Sequence, residues 1–226
     1  MASHLLRRRT ELKIDLSVFN RSRDKAESFR GTQARVAESP KDCAIGAQCA
    51  ILCLGDGASV REILFGENGA CQGLAPQAVI VDHSTIAPSE AEVIGVELAK
   101  KGFRFLDAPV TGGDVGARNG TLTSFVGGDE EVLETVRPLL ESYAKRIYRI
   151  GPAGYGQRMK AVNQIGAIGG VALMSEMLAF AERQGLPLEK SIEVLRDGAA
   201  GSFALNWLGP KIAQGDFSPG FSAQHS

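Results

Sequence analysis

The sequence predicts an α/β fold with a doubly wound, largely parallel sheet followed by an all-α domain. From Leu12 to Ile150, short runs rich in β-branched and apolar residues alternate with helical stretches, the pattern of a parallel sheet wrapped by helices. After Gly151 the strand signals stop, and helical periodicity continues to Leu208. A chain of 226 residues, 44% hydrophobic and 23% charged, is long enough to bury such a core in one domain or two. The change of character places a boundary near Pro152, dividing the chain into residues 1–152 and 153–226.

Each element has a local reason. Met1 to Arg9 reads as the back half of a helix. The strand candidates are Lys13 to Phe19, Cys49 to Leu54, Ala78 to Val81, Phe103 to Leu106, Thr121 to Val126 and Arg146 to Ile150. Between them, Arg23 to Phe29, Val60 to Leu64, Pro88 to Lys100 and Glu130 to Tyr143 carry mixed apolar and charged faces suited to helices packed on a sheet. Pro88 fits a first helical turn. The long helix of about Gln157 to Gln184 stops at Gly185 with Pro187 just beyond, and a second helix follows from Leu188 to Arg196. Gly166, Gly169 and Gly170 inside the long helix each cost roughly 1 kcal/mol against alanine, so close packing is expected there.

Composition excludes several classes. A formal net charge of −1, with Arg7, Arg8 and Arg9 as the dense basic cluster, argues against nucleic acid. Cys43, Cys49, Cys53 and Cys71 lack Cys-x-x-Cys spacing and nearby histidines, so no metal site is expected, and free thiols fit a cytoplasmic protein. The apolar stretch Ile165 to Ala181, interrupted by Ser175 and Glu176, is shorter than the ~20 residues that span a bilayer. It reads as a buried helix, with no membrane and no secretory signal.

Five stretches carry chemistry, each with a plainer structural alternative. Asn20-Arg21-Ser22 follows a strand where a dinucleotide fold usually places an acid for the ribose 2′-hydroxyl; an arginine there favours a 2′-phosphate, and the same residues also suit a polar turn. Leu54-Gly55 ends another strand at the ligand-lining edge of such sheets, where Gly and Asp are also ordinary turn residues. Ser84 and Thr85 offer hydroxyls at a third strand end, or simply cap the following helix. His83 lacks a neighbouring nucleophile and is not read as catalytic.

Asp107-Ala108-Pro109-Val110-Thr111-Gly112-Gly113, with Gly120-Thr121-Leu122 beyond it, is the most distinctive stretch. A Thr-Gly-Gly turn exposes backbone N–H groups and a hydroxyl, a cradle for a carboxylate, or else is a plain loop. In Gly154-x-Gly156-x-x-x-Lys160-x-x-Asn163-Gln164, Lys160 and Asn163 are three apart on a helix and share a face, with Gln164 beside them. An ammonium that protonates a developing alkoxide and an amide that orients a carbonyl are what reduction of a carbonyl by hydride requires. A solvated helix start is the alternative, but Ala161, Val162, Ile165 and Gly166 around it are apolar or small.

Together these stretches resemble the β-hydroxyacid dehydrogenase family, over nearly the whole chain and in the family's order and approximate spacing. The resemblance implies a Rossmann-like fold and a nicotinamide cofactor. It implies that Lys160 is the catalytic acid/base, that Thr111, Gly112 and Gly113 bind substrate, and that Asn163 hydrogen-bonds it with Gln164 beside; serine is more usual than Thr111. Asn163-Gln164 is more similar to tartronate semialdehyde reductases than to 3-hydroxyisobutyrate dehydrogenases. The histidine near Asn163 of 6-phosphogluconate dehydrogenases is absent, and the lysine that imine reductases replace is kept. The family's first strand and glycine-rich turn, and a Lys-Asp pair expected shortly after Phe221, are not in this sequence; Ala223-Gln224-His225-Ser226 does not supply the pair. Both domains are therefore expected to be incomplete.

The leading expectation is an NADP-dependent enzyme, with NAD also admissible, that interconverts a short β-hydroxyacid and its aldehyde acid. Substrates of the 3-hydroxyisobutyrate, tartronate semialdehyde, glyoxylate or succinic semialdehyde class fit. Lys160 would be the proton donor, and the full-length protein a homo-oligomer. The competing expectations are an inactive fragment of such an enzyme and a non-catalytic binding module.

Overall fold

The computed structural model describes residues 1–218. The segment of the Lys-Asp expectation after Phe221 lies outside the described residues. The chain divides into two compact units, Met1–Lys160 and Ala161–Ser226.

In the first unit the helices are α1 (Ala2–Leu12), α2 (Arg23–Glu27), α3 (Pro40–Ala44), α4 (Gly57–Phe65), α5 (Pro88–Lys100), α6 (Gly113–Asn119) and α7 (Glu130–Leu140), with the start of α8 (Tyr155–Arg183). The strands are β1 (Ser17–Val18), β2 (Arg35–Val36), β3 (Cys49–Leu52), β4 (Val79–Asp82), β5 (Arg104–Asp107), β6 (Val110–Thr111), β7 (Leu122–Gly128) and β8 (Ala144–Gly151). β1 and β2 pair in parallel as a separate two-stranded sheet. The six-stranded sheet runs β3-β4-β5-β7-β6, with β8 also on β7.

β3, β4 and β5 are parallel neighbours, and Asp82 pairs with Asp107 at their carboxyl ends. β7 departs from the expected parallel order: it runs antiparallel to β5 and β6, which pair with successive stretches of it, and parallel to β8. The short β5–β6 connection leaves α6 as the link to β7, and seven helical residues there turn the chain back rather than carry it across a sheet face.

The strand period of two splits the core into layers. Val79, Val81 and Leu106 pack with Leu5, Leu133, Leu140 and Tyr143 on one face. Ile80 and Phe105 pack with Val60, Leu64, Ile94 and Leu98 on the other. Helices on both faces make the sheet Rossmann-like. Pro88 stands at the start of α5 as expected, but the cap is Ala87, whose N–H donates to Glu90 (3.1 Å). Neither Ser84 nor Thr85 caps this helix.

In the second unit the rest of α8, α9 (Leu188–Arg196) and α10 (Phe203–Ala213) enclose Met174, Leu178, Ile192, Ala204 and Leu205. Only one side of α8 is covered among the described residues. Ile165 is 77% exposed, and Leu173 and Phe180 are also exposed, so the expected buried helix is buried on one face. At 29 residues α8 has the length and apolar composition that would also suit a membrane span. The close packing expected at its glycines is not seen among the described residues: an added Cβ at Gly170 would make only an ordinary 3.9 Å contact with Ala204, and one at Gly166 or Gly169 would meet nothing within 4 Å.

Candidate active site

The start of α8 is built into the carboxyl ends of β4 and β5. Asp107, the last residue of β5, accepts the N–H of Gly154 on Oδ1 (2.7 Å) and that of Gln157 on Oδ2 (2.9 Å). Gln157 is buried, and its amide is used at both ends: Nε2 donates to Ser84 O (2.7 Å) and Oε1 accepts from Ile86 N (3.2 Å). One turn further, Lys160 is 8% exposed and its Nζ donates to Val110 O (3.0 Å). Burial lowers its pKa from that of a free lysine, easing proton release.

Val110 leads directly into Thr111-Gly112-Gly113. Gly112 and Gly113 have φ of 124° and 61°, conformations that suit glycine, and Gly113 is exposed. The Lys160 ammonium on the first turns of α8 thus reaches β6, whose end carries the Thr111 hydroxyl and is followed by the Gly112-Gly113 turn that opens α6. Asn163 and Gln164 lie further along α8, in the second unit, where Asn163 Nδ2 donates to Gln164 Oε1 (3.0 Å).

The remaining candidates lie after parallel strands. Asn20, Arg21 and Ser22 are exposed after β1, with Ser22 N donating to Asn20 Oδ1 (2.9 Å). Leu54 and Gly55 follow β3, and Ser84 and Thr85 follow β4. The hydroxyl of Ser84 accepts from Leu54 N (2.9 Å), so it ties two loops together, while Thr85 is exposed. Arg21 is thus an exposed cation after β1 in the two-stranded sheet, and Gly55 an exposed glycine after β3 in the six-stranded sheet.

The sequence alone assigns no role to Asp82, Asp107 and Gln157, and His83 reads as non-catalytic. His83 is buried, with Nδ1 2.5 Å from Ala108 O and Nε2 2.7 Å from the Tyr143 hydroxyl. Its pKa is pulled down to about 4, chiefly by burial. Asp107 is pushed up to about 6 by burial, against the two N–H groups it accepts. Asp82, beside it, is raised for the same reason, and its Oδ2 is buried without a partner among the described residues. Gln157 gave one signal in the sequence: it is three residues before Lys160 in the same glycine-rich stretch.

Residues 1–151 match the family model described as the NAD binding domain of 6-phosphogluconate dehydrogenase, and residues 154–226 match that described as NAD-binding of NADP-dependent 3-hydroxyisobutyrate dehydrogenase. The chain belongs to the β-hydroxyacid dehydrogenase family. Family members similar to it include an uncharacterized oxidoreductase, YkwC, of Bacillus subtilis, 37% identical over 225 residues, covering 100% of this chain and 77% of that protein. The 2-hydroxy-3-oxopropionate reductase of Escherichia coli is 40% identical over 166 residues, 74% of this chain and 57% of that enzyme. Among solved structures, 3-hydroxyisobutyrate dehydrogenase from Salmonella typhimurium superposes with a TM-score of 0.87 at 25% identity, covering 97% of this chain and 77% of that one. As a β-hydroxyacid dehydrogenase the protein is by family an NAD(P)-dependent oxidoreductase.

Proposed function

We propose that this enzyme interconverts a short aldehyde acid and its β-hydroxyacid with NADP as the preferred cofactor and Lys160 as the proton donor and acceptor. The observation that carries the reading is the buried Lys160 ammonium held 3.0 Å from the carbonyl of Val110, next to the Thr111-Gly112-Gly113 turn. The bound cofactor supplies, or takes up, a hydride at the carbon of the reacting carbonyl.

Lys160 gives one proton to the carbonyl oxygen, becomes a neutral amine and is reprotonated from solvent; in oxidation it takes the hydroxyl proton. Burial favours both directions, because a lowered pKa brings ammonium and amine closer in energy near neutral pH. The Thr111 hydroxyl and the N–H groups of Gly112 and Gly113 receive the substrate carboxylate. Asn163 and Gln164 are assigned to the substrate by motif match. Asn20, Arg21 and Ser22, Leu54 and Gly55, and Ser84 and Thr85 are assigned to the cofactor, with Arg21 meeting the 2′-phosphate. Residues 1–152 then form the cofactor-binding part and residues 153–226 the helical part. A homo-oligomer in the cytoplasm belongs to the same reading.

Steady-state assays with NADPH and NADH on glyoxylate, succinic semialdehyde and tartronate semialdehyde, and with NADP and 3-hydroxyisobutyrate, test this. Lys160→Ala is expected to lose the rate on whichever substrate is turned over. Retention of most of that rate would remove Lys160 from the mechanism.

A further inference from the structure

We infer that Asp107 and Gln157 are positioning residues that set the height and rotation of the first turn of α8 and so aim the Lys160 amine at the reacting oxygen. This rests on the reading of Lys160 given above. A helix start needs its free N–H groups satisfied, and one Ser or Asp just before it would suffice. Here the carboxylate instead comes from the end of β5, 47 residues before Gly154, and takes one N–H on each oxygen. That two-point grip fixes the helix end relative to the sheet rather than to its own preceding loop.

Gln157 supplies the second constraint. Its amide lies between Ser84 O and Ile86 N on the chain leaving β4, and an inverted amide would set oxygen against oxygen and N–H against N–H. Fixed at both ends, it defines the rotation of the helix about its axis. Lys160 lies three residues on, on nearly the same face, and Val110 on β6 receives its ammonium.

There is no slack beneath. A Cβ at Gly156 would lie 2.5 Å from the carbonyl oxygens of both Asp107 and Phe125, so the helix start rests directly on β5 and β7. β5, β6, β7 and the chain leaving β4 thus hold the two turns that carry the lysine, through contacts none of which involves the substrate.

The test uses the full chain with Gln157→Leu, which keeps bulk and loses both hydrogen bonds, and Asp107→Asn, which keeps shape. Asp129→Ala is the control: it removes another carboxylate cap, on α7, where Asp129 accepts from Val132 N (3.1 Å). The Lys160 side chain is followed by NMR through a pH titration without cofactor or substrate, its signal assigned with Lys160→Arg. Turnover is measured with NADPH on glyoxylate, and thermal stability in parallel.

In Gln157→Leu the Lys160 titration is expected to move towards that of an exposed lysine, and kcat to fall about 100-fold, as for a misplacement on the order of 1 Å, with KM for NADPH changed less than about threefold. Asp129→Ala lowers the melting temperature and leaves the Lys160 titration and kcat alone. A Gln157→Leu protein that loses stability but keeps the wild-type titration and kcat overturns the inference and makes Gln157 merely structural. Should that variant not fold, Asp107→Asn carries the same two outcomes. Lys160→Ala at the wild-type rate sinks the reading of Lys160 itself, a result separate from any shift in its titration.

Discussion

His83 and Tyr143, 60 residues apart, meet at 2.7 Å between imidazole Nε2 and phenol hydroxyl, with the rings edge to face at a centroid distance of 5.5 Å. Because Nδ1 faces the carbonyl of Ala108, Nδ1 carries the proton and donates, and Nε2 accepts from Tyr143. Tyr143→Phe leaves a buried ring nitrogen without its donor and is expected to cost about 1–3 kcal/mol in urea unfolding. A loss below about 0.5 kcal/mol would mean that the pair adds nothing beyond packing.

The same ring and Asp107 oppose one another in acid. His83 has its pKa depressed to about 4 in the fold, so its stabilising contribution is present above about 6.5 and lost as pH falls towards 4. Asp107 is raised to about 6, so its contribution is present below about 4 and lost as pH rises through 6. The two slopes largely cancel between pH 4 and 6, Asp82 acting with the same sign as Asp107. Asp107→Asn removes one of the opposing slopes, and stability should then fall more steeply on acidification, by up to about 1.4 kcal/mol per pH unit. Unfolding midpoints in urea at three pH values across this range measure it; an unchanged or shallower slope contradicts it.

Arg21→Ala should separate the two nicotinamide cofactors. Loss of a charge-assisted contact to a 2′-phosphate, worth about 1.5 kcal/mol, weakens NADPH binding roughly tenfold and leaves NADH unaffected. Fluorescence titration with each cofactor reads the difference. Equal weakening of both would place Arg21 elsewhere than at the 2′-phosphate.

For Thr111 the hydroxyl is the quantity at issue. Thr111→Val keeps the shape and is expected to raise KM for the acid substrate about tenfold, the effect of one hydrogen bond of ~1.4 kcal/mol, whereas Thr111→Ser should leave it unchanged. Kinetics on whichever of the assayed acids is turned over decide the matter, and matching KM values for the valine and serine variants would exclude a role for the hydroxyl.

What could be read from the sequence followed from local chemistry. α5 and α9 occupy Pro88–Lys100 and Leu188–Arg196 as anticipated, because a proline or the residue just after one marks each start and an apolar stripe runs through each. β2 and β6, at two residues apiece, are too short to show alternation, and α6 is hidden by the glycines at its start and middle. The reversal of β7 was illegible because a strand's direction is set by its partners, not by its own residues. In the candidate site, Lys160 and Thr111 stood out as residue types suited to the chemistry. Asp107 opened the most distinctive stretch but was assigned no task, and Gln157 looked like any polar residue near a helix start. Their contacts with one another, with Gly154 and with the chain leaving β4 span 47 to 73 residues, distances over which no periodicity reports.

The way α8 begins also bears on how the chain reaches its native state. Asp107 to Gly154, Asp107 to Gln157 and Lys160 to Val110 close loops of 47, 50 and 50 residues. Such long closures spend chain entropy before any contact rewards them. A nascent α8 can therefore coil early on its own periodicity, yet its lysine acquires an address only once β4 to β6 have come together. Folding of the sheet and maturation of the chemistry are then one event, and a chain with an unformed sheet edge holds a helix whose ammonium is an ordinary surface charge.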